Sequence, residues 1–155
     1  MIEVVVALGI LSMVVGLAGS EIFQLLSFQR NWQDDMTATV DMRRAGSRFA
    51  GDAINAEDAK DSLGVRVDCN GTSSVALSWT ETADVSHTAT YSIVGDSLIR
   101  DFDGQQNEMA RRVVAGSLQV SLCLQLLSMD LQVEGGRGRI ENIRLQTYMR
   151  KLALP

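Results

Sequence analysis

Few side chains in this sequence could do chemistry. The first is Glu3. It sits at the rim of an apolar run, and Val4 to Ala18 carry no charge and only one polar side chain, Ser12. An ionised carboxylate in hydrocarbon costs several kcal/mol unless it is paired, so Glu3 asks for a cation at the same depth. Cys69 and Cys123 are the only cysteines. They form either one disulfide in an oxidising compartment or two buried free thiols. With one histidine, His87 in "ADVSHTAT", and no CxxC, the chain has no zinc-ligand spacing. His87 reads as an exposed loop residue without an acid or nucleophile beside it. Asp101, Asp103 and Gly104 in "RDFDGQQNE" share part of a calcium-loop pattern but miss the acid at its twelfth position. "EGGRGR" lacks the Lys-Ser/Thr and following helix of a phosphate loop and reads as a hairpin tip.

These residues assemble no nucleophile with a base, no carboxylate pair and no metal set, so the sequence supports no enzyme and calls for no cofactor. The formal charge is −5, from 14 basic and 19 acidic residues. That opposes a general nucleic-acid surface, which needs a clustered positive field. The stretch Glu134 to Lys151 is locally basic through Arg137, Arg139, Arg144, Arg150 and Lys151. It reads as a solvated strand edge, with an acidic docking partner as the sharper alternative.

The elements that would position these groups fall into three regions. Residues 1–27 are apolar apart from Glu3, Ser12, Ser20, Glu21, Gln24 and Ser27, long enough as a helix to span a bilayer core. The run has neither the basic flank nor the small-x-small site of a cleaved signal peptide. Gly9, Gly16 and Gly19 interrupt it, and in a membrane small residues allow close helix approach. Residues 28–60 continue the helix as an amphipathic half. Phe28, Trp32, Met36, Thr39, Met42, Gly46, Phe49 and Ala53 form its apolar stripe, with Arg30, Asp34, Asp41, Arg44, Arg48 and Asp52 largely off it. No proline precedes Pro155, so the helix is expected to run from Ile2 to about Asp58, and "AEDAKDSLG" supplies the stop.

From residue 61 to 155 the period switches to strands. Asn70-Gly71 predicts a hairpin between "VRVDC" and "TSSVALSW", and Gly95-Asp96 a second one within "TATYSIVGDSLIRDF". "SLQVSLCLQLL" reads as one strand with Leu118, Val120, Leu122, Leu124 and Leu126 on one face. A third hairpin turns around Gly135 to Gly138, with Ile143, Leu145, Thr147 and Met149 on one face of its return strand. Trp79 and Tyr91 read as packing residues. The expected fold class is α+β, one long helix packed on an antiparallel sheet.

"IEVVVALGIL" resembles the N-terminus of type IV pilins and pseudopilins, whose mature chains begin with an aromatic residue followed by roughly "TLIEVLVALAIL". Met1 stands where that family usually has Leu. The resemblance covers about the first twelve residues. The order of hairpins is loosely similar to the minor members, the J-type pseudopilins and W-type minor pilins. It implies that Glu3, flanked by Ile2 and Val4, neutralises the N-terminal amine of a neighbouring subunit during filament assembly. It further implies a basic leader ending in a peptidase-site glycine upstream, a prepilin peptidase that removes it, and N-methylation of the new terminus. The implied location is the bacterial inner membrane, single pass, with the C-terminal domain outside the cytoplasm, and then a pilus or pseudopilus. Partners would be other pilins through the N-terminal helix, in a type IV pilus or type II secretion filament, including a tip or priming complex. Many family members carry a proline about twenty residues in. Its absence makes Gly16 and Gly19 the candidates for local unwinding. A single-span anchored binding module is the alternative from another class, and a DNA-uptake receptor using the basic terminal strand is a third.

Overall fold

The computed structural model describes residues 2–81 and 85–149, without the side chains of Ile2, Val5 and Arg137. One helix, α1 (Ile2–Asn55), accounts for over a third of the chain. The lack of proline lets it run so far, through Gly9, Gly16, Gly19, Gly46 and Gly51. Its last turn closes with Ala56 N–H donating to Asp52 O at 2.9 Å, and the Asn55 amide donates to Gly51 O. The next residues are captured by a sheet instead. Glu57 N–H donates to Ser78 O at 2.8 Å, and β1 (Asp58–Lys60) pairs with the strand containing Ser78. The helix therefore stops three residues earlier than expected, and the segment read as a stop signal is itself an edge strand.

Two antiparallel sheets follow. The first has the order β1-β2-β3-β4-β5, with β2 Val75–Thr80, β3 Ser86–Val94, β4 Ser97–Phe102 and β5 Gln105–Ala110. The second has the order β6-β7-β8, with β6 Gln119–Cys123, β7 Leu126–Glu134 and β8 Ile140–Tyr148. Isolated bridges at Thr72–Val120 and Val113–Val133 tie the segments just before β2 and just after β5 to the second sheet. The architecture is α+β, a long helix packed on antiparallel sheet.

The Gly95-Asp96 hairpin is present, with Val94 opposite Ser97 and Gly95 at φ 66°. The hairpin through Gly135–Gly138 is present too, its tip a 3₁₀ turn over Gly136–Gly138. Two expected features differ. Asn70-Gly71 does form a turn, held by Asn70 N–H donating to Asp68 Oδ1 at 2.8 Å, but it joins no pair of neighbouring strands. It delivers Thr72 to Val120 in the second sheet, while β2 pairs with β1 and β3. The single strand "SLQVSLCLQLL" is two strands, β6 and β7, folded at Leu124-Gln125. Leu124 adopts φ 60° and is 92 % exposed, whereas alternation alone placed it inside.

The core gathers Met42, Ala45, Phe49 and Ala53 of α1 with Leu77, Tyr91 and Leu98 of the first sheet and Leu127, Met129 and Leu131 of the second. Only part of the predicted helical stripe contributes. Phe28, Trp32 and Met36 lie open to solvent, while Asn31, Asp34 and Ala38 are half-buried in their place. The reason is geometric: steps of four residues advance 400° around a helix of 3.6 residues per turn, so 28, 32 and 36 drift about 40° per step off the face that meets the sheets.

Candidate functional site

The candidate site is the exposed half of α1 and the grip that aims it. Glu3 lies in the first helical turn, exposed, with no hydrogen-bond or ion-pair partner among the described residues. Val4 beside it is 62 % exposed, and the Ile2 side chain lies outside the described set. Large apolar side chains then follow without cover, including Leu8, Leu11, Val15, Ile22 and Leu25. Among the described residues this one helix is long and apolar enough to cross a membrane, and none of its apolar window is buried.

Gly9, Gly16 and Gly19 fall with Ser12 at i, i+3, i+7 and i+10, so they share one helix face. A Cβ added at any of the three glycines would meet nothing within 4 Å. Ser12 donates its hydroxyl to Gly9 O at 2.8 Å, as Ser20 does to Leu17 O. The helix thus satisfies these hydroxyls internally and presents a shallow track where another backbone can approach.

Two grips fix α1 against the sheets. At the lower one, Arg112 Nη2 donates to Asp34 Oδ1 at 2.8 Å and Gly136 N–H donates to Asp35 Oδ1 at 2.6 Å. The 3₁₀ turn approaches so closely that a Cβ on Gly136 would lie 2.8 Å from Asn31 O. The hairpin tip read from "EGGRGR" is therefore a helix contact, and its glycine is required by that approach.

The upper grip was missed in sequence. Asp52, assigned off the stripe, is buried and faces the sheet. It accepts from Arg100 Nε at 2.7 Å, Arg100 Nη2 at 2.8 Å and the Tyr91 hydroxyl at 2.5 Å. Burial, and then the neighbouring Asp52 carboxylate, push the Tyr91 phenol far above its ordinary value. The hydrogen bond to Asp52 raises the Arg100 guanidinium. Phe49 meets Tyr91 edge-on at 5.4 Å. The signal available in sequence was the inward parity of Tyr91 and Arg100 on paired strands, since they stand opposite each other in the β3–β4 register.

His87 also departs from its expected role. It lies in β3, stacked on Phe102 at 5.5 Å and near Trp79, with Nδ1 donating to Asp103 Oδ2 at 2.6 Å and Nε2 3.5 Å from Glu81. The hydrogen bond to Asp103 raises the imidazole, aided by Glu81, and His87 in turn lowers Asp103. Asp103 and Gly104, at φ 51° and 85°, form the two-residue turn between β4 and β5. Asp103 Oδ1 accepts from Thr88 N–H and Asp101 Oδ1 from Gly104 N–H. These acids therefore tie a hairpin rather than converge on an ion, and no group of three metal-ligating side chains occurs among the described residues.

Cys69 and Cys123 are joined as a disulfide, their Cα atoms 4.9 Å apart. Leu122 N–H donates to Asp68 O alongside it, so the bridge ties the segment before β2 to the second sheet. Of the basic terminal stretch, Arg139 pairs with Glu141 and Arg144 with Asp130, both exposed, whereas Arg150 and Lys151 lie outside the described residues. No family model matches this chain, and no curated protein or solved structure matches it.

Proposed function

We propose that this chain is a structural subunit of a filament with a helical core, of the minor pilin or pseudopilin kind. It waits in the bacterial inner membrane through α1 and is drawn from there into a type IV pilus or type II secretion filament. The observation that carries this reading is Glu3, unpartnered among the described residues, at the rim of a half-helix whose apolar side chains none of those residues covers. The Ile2–Leu11 resemblance supports it. In lipid, association comes from close packing along the Gly9, Gly16 and Gly19 track, because lipid tails supply no hydrophobic drive between helices. Glu3 then sets register. A carboxylate left unpaired in hydrocarbon costs several kcal/mol, and the terminal amine of a neighbouring subunit at the same depth removes that cost. A helix slipped by one turn would leave both charges alone.

The test is Glu3→Ala in the host. The variant should insert and fold like wild type, remain in the membrane fraction and vanish from sheared filaments. Incorporation of Glu3→Ala at the wild-type level would refute the reading, because an anchored binding module has no need of the acid.

A further inference from the structure

The cleft where α1 leaves the sheets has a chemistry that helix packing does not use. It is lined by Phe28, Asn31, Trp32, Asp35, Gly136 and Arg139, with a volume of about 480 Å³. Phe28 and Trp32 form a tilted ring pair 6.1 Å apart, both rings largely exposed. Beside the rings stand two opposite charges, the Asp35 carboxylate one turn further along the same helix and the Arg139 guanidinium that follows the 3₁₀ turn. Asp35 is oriented by the Gly136 N–H that it accepts at 2.6 Å. Arg139 uses Nε and Nη2 on Glu141, which leaves Nη1 for another acceptor, since a guanidinium offers five donors.

The depth of this cleft is set by the helix. Phe28 lies 25 residues beyond Glu3, about 38 Å at 1.5 Å per residue, and Trp32 about 44 Å. A bilayer is about 40–45 Å thick including its headgroup layers. With Glu3 at the rim of the hydrocarbon core, about 30 Å thick, a helix tilted by about 20° carries Phe28 about 6 Å past the far rim and Trp32 to the outer edge of that headgroup layer, where Trp is enriched.

We infer that this cleft binds the headgroup of a zwitterionic phospholipid with a primary amine, phosphatidylethanolamine in chemical class. Arg139 Nη1 donates to the phosphate, which guanidinium matches geometrically. The ammonium sits between the Asp35 carboxylate and the face of Trp32, combining an ion pair with a cation–π contact. A purely anionic headgroup meets Arg139 but is repelled by Asp35, so the site discriminates by charge pattern rather than by net charge. The lipid would hold the subunit upright before assembly. This rests on the membrane-anchored reading above.

The experiment is native mass spectrometry of the full-length protein in neutral detergent, titrated separately with phosphatidylethanolamine, phosphatidylglycerol and water-soluble O-phosphoethanolamine. The wild type should retain one phosphatidylethanolamine and prefer it at least about fivefold over phosphatidylglycerol. Arg139→Gln should weaken retention of both lipids about tenfold, the loss of a charge-assisted hydrogen bond. Asp35→Asn keeps an oxygen for Gly136 N–H and should reverse the preference toward phosphatidylglycerol, an effect that structural damage alone would not produce. An unchanged preference in Asp35→Asn overturns the inference. Binding of O-phosphoethanolamine as tight as that of the lipid overturns the lipid assignment. Liposome flotation separates the two levels: a protein that floats without headgroup preference refutes only the inference, and one that never floats refutes the anchored reading as well.

Discussion

Asp52→Ala is the sharpest probe of how the helix is joined to the sheets. The substitution removes the acceptor of three hydrogen bonds and leaves the Arg100 guanidinium and the Tyr91 hydroxyl facing each other in the core. Removing one partner of a buried ion pair costs about 3–5 kcal/mol. The Arg100 side chain keeps 11 % of its exposure and rests over Phe102 at 4.5 Å. Limited access to water and that cation–π contact should hold the cost near the lower end, about 3 kcal/mol. In urea, with a slope of about 2 kcal/mol per M, the midpoint should fall by about 1.5 M. The assay is equilibrium unfolding of the full chain in neutral detergent, followed by fluorescence of the buried Trp79. The double variant Asp52→Leu/Arg100→Met removes both charges together and should recover at least half of the loss, because no uncompensated charge remains. A midpoint shift under 0.5 M for Asp52→Ala (about a third of the expected value), or a double variant as unstable as the sum of its singles, would refute the clamp.

Three further outcomes follow from the same geometry. Replacing Cys69 and Cys123 together by Ala should destabilise the fold by about 4 kcal/mol, the chain-entropy value for a separation of 54 residues, and reductant should lower the thermal midpoint of wild type but not of the variant. The His87 pKa is raised above its usual 6.5 by Asp103, so this pair's stabilisation is fully present below 6.5 and fades as pH rises through the higher folded value; the difference in thermal midpoint between wild type and His87→Gln should shrink from pH 6 to pH 9 (about the span in which an imidazole loses its charge), and a constant difference would exclude the ion pair. Leu124→Gly should raise the unfolding free energy by about 1 kcal/mol, since it relieves a left-handed backbone in a side chain that buries almost nothing, and chemical denaturation would register any loss instead.

The parts of the fold legible in sequence were those set by local chemistry. The unbroken helix followed from the absence of proline, and the turns at Gly95 and Gly135–Gly138 followed from glycines, of which Gly95 and Gly138 take left-handed conformations that other residues resist. What required the third dimension was partnership. Asp52 looks like a solvent-side acid until Arg100 and Tyr91 arrive from two strands, and His87 looks idle until the β4–β5 turn brings Asp103 against it. Leu124 continued a perfect alternation, yet the chain folds there, because Cys123 must meet Leu126 across a two-residue turn. The Asn70-Gly71 pair announced a turn correctly but could not say which strands it would serve. For the candidate site, the acid and the glycine track were readable directly, while the cleft at Trp32 depended on the 3₁₀ turn reaching back to Asn31.

The helix is pinned at two places, Asp34–Asp35 and Asp52, 17 to 18 residues apart, or about 26 Å along its axis. A rod fastened at two points cannot swivel in its mount. Any change in the angle between shaft and head must then come from flexing the free length below Asn31, where Gly9, Gly16 and Gly19 have the lowest helix propensity. Tension applied to that free end would be shared between both fastenings and would pass into both sheets at once.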